Sequence, residues 1–230
     1  MERFQVDHCS WDPRHFHLGT RIYASAGGQS FIFPDDDFTP QDEDFYKTFR
    51  YLLGVGEGPE LANQLPFNCN ADFTDSIKLN KGCYLGQELC ARTYYTGVIR
   101  KRLMTVIISD SPENLQKLLD KKDQRLPAAD HGQKLARLDF VDSEFLQDLS
   151  HEERSNLFVE KTVKNSAGRK AFKIISVEKN VGLVIGDYFS APDSFQDEIF
   201  SDGKYFYKLT FNGIWDGGRQ GYLEGIKDRL

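Results

Sequence analysis

The chain has 230 residues, with 29 Lys and Arg against 35 Asp and Glu, for a net charge of −6. Hydrophobic residues at 40% and charged residues at 28% exclude a disordered or collagen-like chain. No apolar run approaches the roughly 20 residues of a membrane-spanning helix, and the acidic balance argues against general nucleic-acid binding.

The first eight residues, Met1 to His8, contain no apolar core of a secretory signal and no Arg- and Ser-rich transit pattern. Residues 1–34 read as strands and turns. Short β runs at Arg21–Ala24 and Phe31–Phe33 are closed by Gly27-Gly28 and by Pro34. His15 and His17 alternate, which on a strand would give them one face. With no third ligand nearby, surface histidines are expected. The period then changes: Phe45, Phe49, Leu52 and Leu53 recur at helical spacing after Asp42, Glu43 and Asp44, predicting an amphipathic helix over residues 42–53.

Residues 54–77 read as irregular, and residues 78–102 as polar and aromatic chain punctuated by Gly82, Gly86 and Gly97. Leu103 to Ile108 is the clearest strand signal, and Ser111-Pro112 opens a helix carrying Leu115, Leu118 and Leu119. The last hundred residues carry strand-like runs at 171–177, 181–185 and 204–211, the spacing of a small antiparallel barrel or sandwich. Ahead of these runs, residues 139–154 read as an acidic, helix-compatible insertion between strands with a solvated surface.

Four cysteines, Cys9, Cys69, Cys83 and Cys90, form no C-x-x-C pair, so free thiols are expected and no zinc-ligand spacing is present. One segment stands apart: Lys81-Gly82-Cys83-Tyr84-Leu85-Gly86-Gln87-Glu88-Leu89-Cys90-Ala91-Arg92-Thr93. Glycines around Cys83 allow a thiol on a loop. Lys78, Lys81, Arg92 and the run Arg100-Lys101-Arg102 supply positive charge that would favour a thiolate. The alternative for Cys83 is a small buried apolar side chain. Cys90, seven residues on, is expected to be packed and unpaired, because Gly82 and Gly86 oppose a continuous helix. The Arg100–Arg102 run reads as a solvated strand edge, with a phosphate patch as the alternative. No Ser-His-Asp motif, P-loop or Gly-rich dinucleotide fingerprint occurs.

Lys81-Gly82-Cys83-Tyr84-Leu85-Gly86-Gln87-Glu88 resembles the K-G-C-Y-x-G-Q-E signature of the YgfZ/Caf17-type proteins, relatives of the folate-binding T-protein (aminomethyltransferase) of glycine cleavage. The similarity continues through Arg92-Thr93 and Gly97 to Leu103 in the form of the mitochondrial iron–sulfur cluster assembly branch. Weaker agreement lies at Asp12-Pro13-Arg14, Tyr51 to Val55, Leu65-Pro66 with Asn70, and Asn180 to Leu183. The resemblance implies an α+β fold: partial ferredoxin-like T-protein-type lobes followed by a small C-terminal antiparallel β-barrel. Residues 1–40 would be the remnant of an N-terminal lobe, 41–105 a lobe segment bearing the motif, and 106–230 the barrel with its acidic insertion. Against the family pattern the chain is expected to lack much of both lobes and the leader, and Asn68 replaces an acidic residue of the T-proteins.

The same resemblance implies a late step in [4Fe–4S] protein biogenesis in the mitochondrial matrix, with an A-type scaffold as partner. Cys83 would be a thiolate ligand of an iron–sulfur cluster shared with that partner, [2Fe–2S] in transfer. Lys81, Gly82, Tyr84, Gly86, Gln87, Glu88 and Arg92 would shape the site. Asn70, Arg100 and Arg102 would be tetrahydrofolate contacts. An assembly factor with a transferase-like fold is thus expected in preference to an enzyme; the alternative is a tetrahydrofolate-dependent aminomethyltransferase-like enzyme.

Overall fold

The computed structural model describes residues 4–15, 18–24, 29–31, 41–74, 76–78, 81–96, 99–123, 141–142, 144–187 and 198–210. A three-stranded antiparallel sheet comes first, in the order β2-β1-β3, from β1 (Phe4–Trp11), β2 (Thr20–Ala24) and β3 (Gln29–Phe31). Residues 32 and 33 of the expected second run lie outside the described residues.

Helix α1 (Glu43–Leu52) starts where the sequence predicts, because the Asp42 carboxylate accepts from the Phe45 amide at 2.7 Å. It ends at Gly54, whose φ of +71° is the left-handed turn that glycine tolerates. The buried face differs from the predicted one. Thr48, Tyr51 and Leu52 are buried, whereas Phe45 and Phe49 are half-exposed and stack on each other with centroids 6.3 Å apart. Tyr51 is drawn inward because its hydroxyl finds polar partners there, donating to Glu60 at 2.6 Å and meeting Ser176 Oγ at 2.5 Å.

After two short 3₁₀ turns, Gly58–Leu61 and Pro66–Cys69, the chain forms α2 (Gln87–Thr96), β4 (Lys101–Ser109), α3 (Pro112–Asp123) and α4 (His151–Phe158). It continues through β5 (Thr162–Lys164), β6 (Lys170–Glu178), β7 (Val181–Asp187), β8 (Phe200–Ser201) and β9 (Phe206–Thr210). Strands β4 to β9 make a six-stranded sheet of order β5-β6-β7-β4-β9-β8, antiparallel at every pairing. The sheet curls until its edge strands β5 and β8 meet, so it is a nearly closed barrel. Irregular register between Ile174 and Ser176 adds to the curl. Glycine is required in β7 at Gly182 and Gly186. A Cβ there would lie 2.9 Å from the Ser176 carbonyl oxygen, or 3.0 Å from that of Ala171.

Strand β4 crosses residue 105 unbroken, so the sheet takes in residues on both sides of the expected 105/106 boundary. Its continuous apolar run reflects burial on both faces. Met104, Val106 and Ile108 point into the barrel interior with Phe172, Ile174 and Tyr207. Leu103 and Ile107 face outward against Tyr51 and Leu52 of α1 and Leu115 and Leu118 of α3. Strand β4 pairs with β7 from Lys101 and with β9 only from Thr105. Arg100 and Lys101 are exposed, as the solvated reading of this run expects, whereas Arg102 is buried, which corrects that reading for Arg102 alone. Of the predicted acidic insertion, residues 139, 140 and 143 lie outside the described residues. The rest runs, through turns in which Phe145 is buried, into α4, which is capped by Ser150 and Glu153 in a reciprocal box.

Candidate functional site

The 81–96 segment lies mostly at the surface, anchored by Cys90. Gly86, at φ +83°, turns the chain from the Lys81–Leu85 loop into α2, which therefore begins after Cys83. Lys81, Gly82, Cys83, Gly86 and Glu88 are exposed, Tyr84 and Gln87 are half-buried, and Arg92 is exposed on the helix. Cys83 is a free, exposed thiol, so the buried-apolar alternative does not describe it. Cys90 is buried, in a small apolar cluster with Phe67 and Ile99. Partial desolvation and a hydrogen bond with the Cys90 thiol push the Tyr84 phenol pKa upward. The Lys81 ammonium lies 4.5 Å from the Tyr84 ring centre, which places one cation beside the residue that follows Cys83.

The loop beneath α2 is pinned to β4. Arg102, 1% exposed, donates to both Asp72 carboxylate oxygens at 2.5 and 2.8 Å and to the Phe67 carbonyl at 2.9 Å, and it lies 4.2 Å from the Phe73 ring centre. Asn70, in the left-handed region at φ +60°, donates its amide to the Leu103 carbonyl at 2.8 Å, while its Oδ1 is buried without a hydrogen bond. Asn70 and Arg102 thus sit side by side on the loop–strand seam, and Arg100 is exposed where the chain enters β4. The seam explains why Arg102 differs from its neighbours: its charge is spent on Asp72.

A second polar region lies between β1–β2 and the turn after α1. Asp12, buried, accepts from Arg14 Nη2 at 2.7 Å and from Arg21 Nε at 2.6 Å. Glu57 binds both arginines and Tyr46, and Arg50 joins it to Glu60. Burial and the Glu57 bond push the Tyr46 phenol up to about 12. These groups line an open cavity of about 730 Å³ with Leu18, Ile22, Tyr23 and Gly56 to Gly58. Cations and anions balance there, and the arginines already hold carboxylate partners, so the network's evident work is to clasp the small sheet to the turn after α1. Sequence reading found Asp12 and Arg14 as motif residues but missed the network, whose pairs are up to 43 residues apart. His15 is buried, contrary to the expected surface position, because it lies in the turn that Asp12 and Gly19 close, and His17 lies outside the described residues.

Cys69 is half-buried, and burial pushes its thiol up to about 11, which keeps it protonated and poorly nucleophilic. Among the described residues no three His, Cys, Asp or Glu side chains converge as a metal site. No described helix is long and apolar enough to cross a membrane. Chemically, the exposed Cys83 can supply one soft thiolate ligand to a metal centre whose other ligands come from elsewhere.

No protein-family model matches the chain. Among curated proteins it is similar to mitochondrial iron–sulfur cluster assembly factors named IBA57 or IBA57 homologue. It is 35% identical to that of Dictyostelium discoideum over 113 residues, covering 46% of this chain and 28% of the relative. It is 40% identical to that of Pyricularia oryzae over 111 residues, 46% of this chain and 28% of the relative. With that of Mus musculus the identity is 40% over 100 residues, 41% of this chain and 26% of the relative. The matched stretches thus span less than a third of each relative's length. These similarities bear out the resemblance carried by the octapeptide and the expected mitochondrial setting.

Proposed function

Taking kinship with the YgfZ/Caf17-type iron–sulfur cluster assembly factors as the premise, we propose that this chain serves iron–sulfur protein maturation in the mitochondrial matrix. Cys83 gives one thiolate to a [2Fe–2S] cluster in transit, an A-type scaffold brings the remaining ligands, and the product step is late [4Fe–4S] biogenesis. The cluster is cargo. The observation that carries the reading is the exposure of Cys83 on a loop that Gly86 turns into α2, with Lys81 beside it and Arg92 on the following helix.

The division of labour follows from ligand number. Iron in such clusters takes soft thiolates, about four protein ligands per cluster, and one exposed cysteine leaves the rest to a partner. Lys81 and Arg92 offset the charge of a thiolate-bound cluster, while the buried Cys90 packs the helix and takes no ligand role. The competing reading, a tetrahydrofolate-dependent transferase, is disfavoured by how its candidate residues are used: Arg102 holds Asp72 and Asn70 holds the Leu103 carbonyl.

The test is anaerobic reconstitution of the chain with an A-type scaffold, read by visible circular dichroism. The wild-type chain is expected to yield cluster bands that differ from those of the scaffold alone, and Cys83→Ala to abolish the difference. Unchanged bands in Cys83→Ala would remove the ligand assignment. Micromolar tetrahydrofolate binding with one-carbon turnover would establish the competing reading instead.

A further inference from the structure

Helix α2 is held to the protein by little. Of its ten residues only Cys90 is buried, and its packing partners are Phe67, Ile99 and the half-buried Ile77. Yet its outer surface is not polar. Leu85 is fully exposed, Tyr95 is 80% exposed and Leu89 46%. Leu89 and Tyr95 lie on the solvent side of the helix, about 120° apart with Glu88 and Arg92 between them, and Leu85 precedes the helix, between Cys83 and the Gly86 turn. Single exposed apolar residues are ordinary, but three large ones within eleven residues beside an exposed thiol mark an interaction surface.

Charge narrows the occupant. Within residues 76–101 the described cations Lys78, Lys81, Arg92, Arg100 and Lys101 are all exposed, and Glu88 is the anion among them. The whole chain carries −6, so this exposed stretch is basic within an acidic chain. Two copies of such a face would repel each other, which disfavours self-pairing. A partner with an acidic rim around an apolar centre would be attracted to it and steered onto it. Resting on the cluster-sharing reading above, we infer that this side of α2 and the turn before it, with Leu85, Leu89 and Tyr95 as apolar contacts and Arg92 among them, is the docking face for the acidic-rimmed protein that brings the other thiolates to Cys83. Docking is therefore separable from ligation: the helix supplies affinity with or without a cluster, and Cys83 adds to it only when a cluster is present.

Calorimetry with the A-type scaffold, apo and [2Fe–2S]-loaded, separates the two. The double variant Leu85→Asp/Leu89→Asp alters exposed positions only, and its far-ultraviolet circular dichroism should match wild type. It is expected to weaken binding of both apo and loaded scaffold at least tenfold, and Arg92→Glu to do the same with a smaller salt dependence than wild type. Cys83→Ala is expected to leave apo binding unchanged and to weaken loaded binding only. If the double variant and Arg92→Glu bind like wild type while Cys83→Ala loses loaded binding, the docking face is wrong and the ligand assignment stands. If wild type binds neither form, both fall. A wild-type dimer in sedimentation that the double variant dissolves would make the face a self-interface and overturn the inference. Binding to phosphatidylserine vesicles that the double variant loses, with scaffold binding intact, would overturn it in favour of a lipid surface.

Discussion

The Arg102–Asp72 pair offers the sharpest test of how the candidate site is supported. Arg102 is 1% exposed and Asp72 keeps 22% of its side chain in solvent. Replacing Asp72 by Ala leaves a buried guanidinium that still meets the Phe67 carbonyl and the Phe73 ring but no longer its carboxylate. Removing one partner of a buried pair costs about 3–5 kcal/mol, and the partial exposure of Asp72 places this case near about 3 kcal/mol. In a chain of this size each kcal/mol moves the melting temperature by about 2–4 °C, so Asp72→Ala should melt about 6–12 °C below wild type. The double variant Asp72→Ala/Arg102→Met should recover much of that loss, because no unpaired charge is left inside. The same bond pins the Pro66–Cys69 turn under α2, so amide exchange over residues 87–96 should quicken in Asp72→Ala. Differential scanning fluorimetry and exchange mass spectrometry read both effects. A loss under about 2 °C, or a double variant no better than the single, would refute the account of a buried and mutually dependent pair.

Gly186→Ala places a methyl 3.0 Å from the Ala171 carbonyl oxygen and from Phe172 Cβ; a loss of about 1–3 kcal/mol is expected in urea unfolding, and an unchanged midpoint would contradict the tight curl of β7. Burial alone would raise the Asp202 pKa, but bonds from Lys161, Tyr207 and the Tyr205 and Lys204 amides outweigh it and hold the carboxyl far below its usual range. Because the folded pKa is depressed, the stabilisation is complete above about pH 4 and is lost as pH falls below it. The stability gap between wild type and Asp202→Asn should therefore narrow on acidification, and a constant gap would count against it. Brief iodoacetamide treatment near neutral pH should label Cys83 and Cys9, which are exposed, well before Cys69 and Cys90. Peptide mapping showing Cys69 labelled first would overturn the burial argument.

Much of the local architecture was legible in the residues because its causes are local. Asp42 caps α1, Gly54 ends it, and Ser111 and Pro112 open α3. The run from Leu103 to Ile108 declared a strand, which the fold then buries on both faces. The octapeptide marked Cys83, and the glycines around it predicted a loop, which the structure contains. Helix α2 was not legible, since a helix that buries one side chain of ten has no apolar stripe to read. The predicted face of α1 was displaced toward Tyr51 because the polar partners Glu60 and Ser176 decided which aromatic went inside. Arg102 looked like one of three equivalent surface cations, and Asp12 and Glu57 like ordinary acids. The roles of Arg102 and Glu57 come from partners 30 to 43 residues away, brought within hydrogen-bond reach only when the chain folds. The sequence by itself thus determined the elements and the thiol that marks the site. The tertiary structure alone decided which charges are spent holding the protein together and which remain at the surface, because the cost of burying a charge depends on partners that folding, not sequence proximity, supplies.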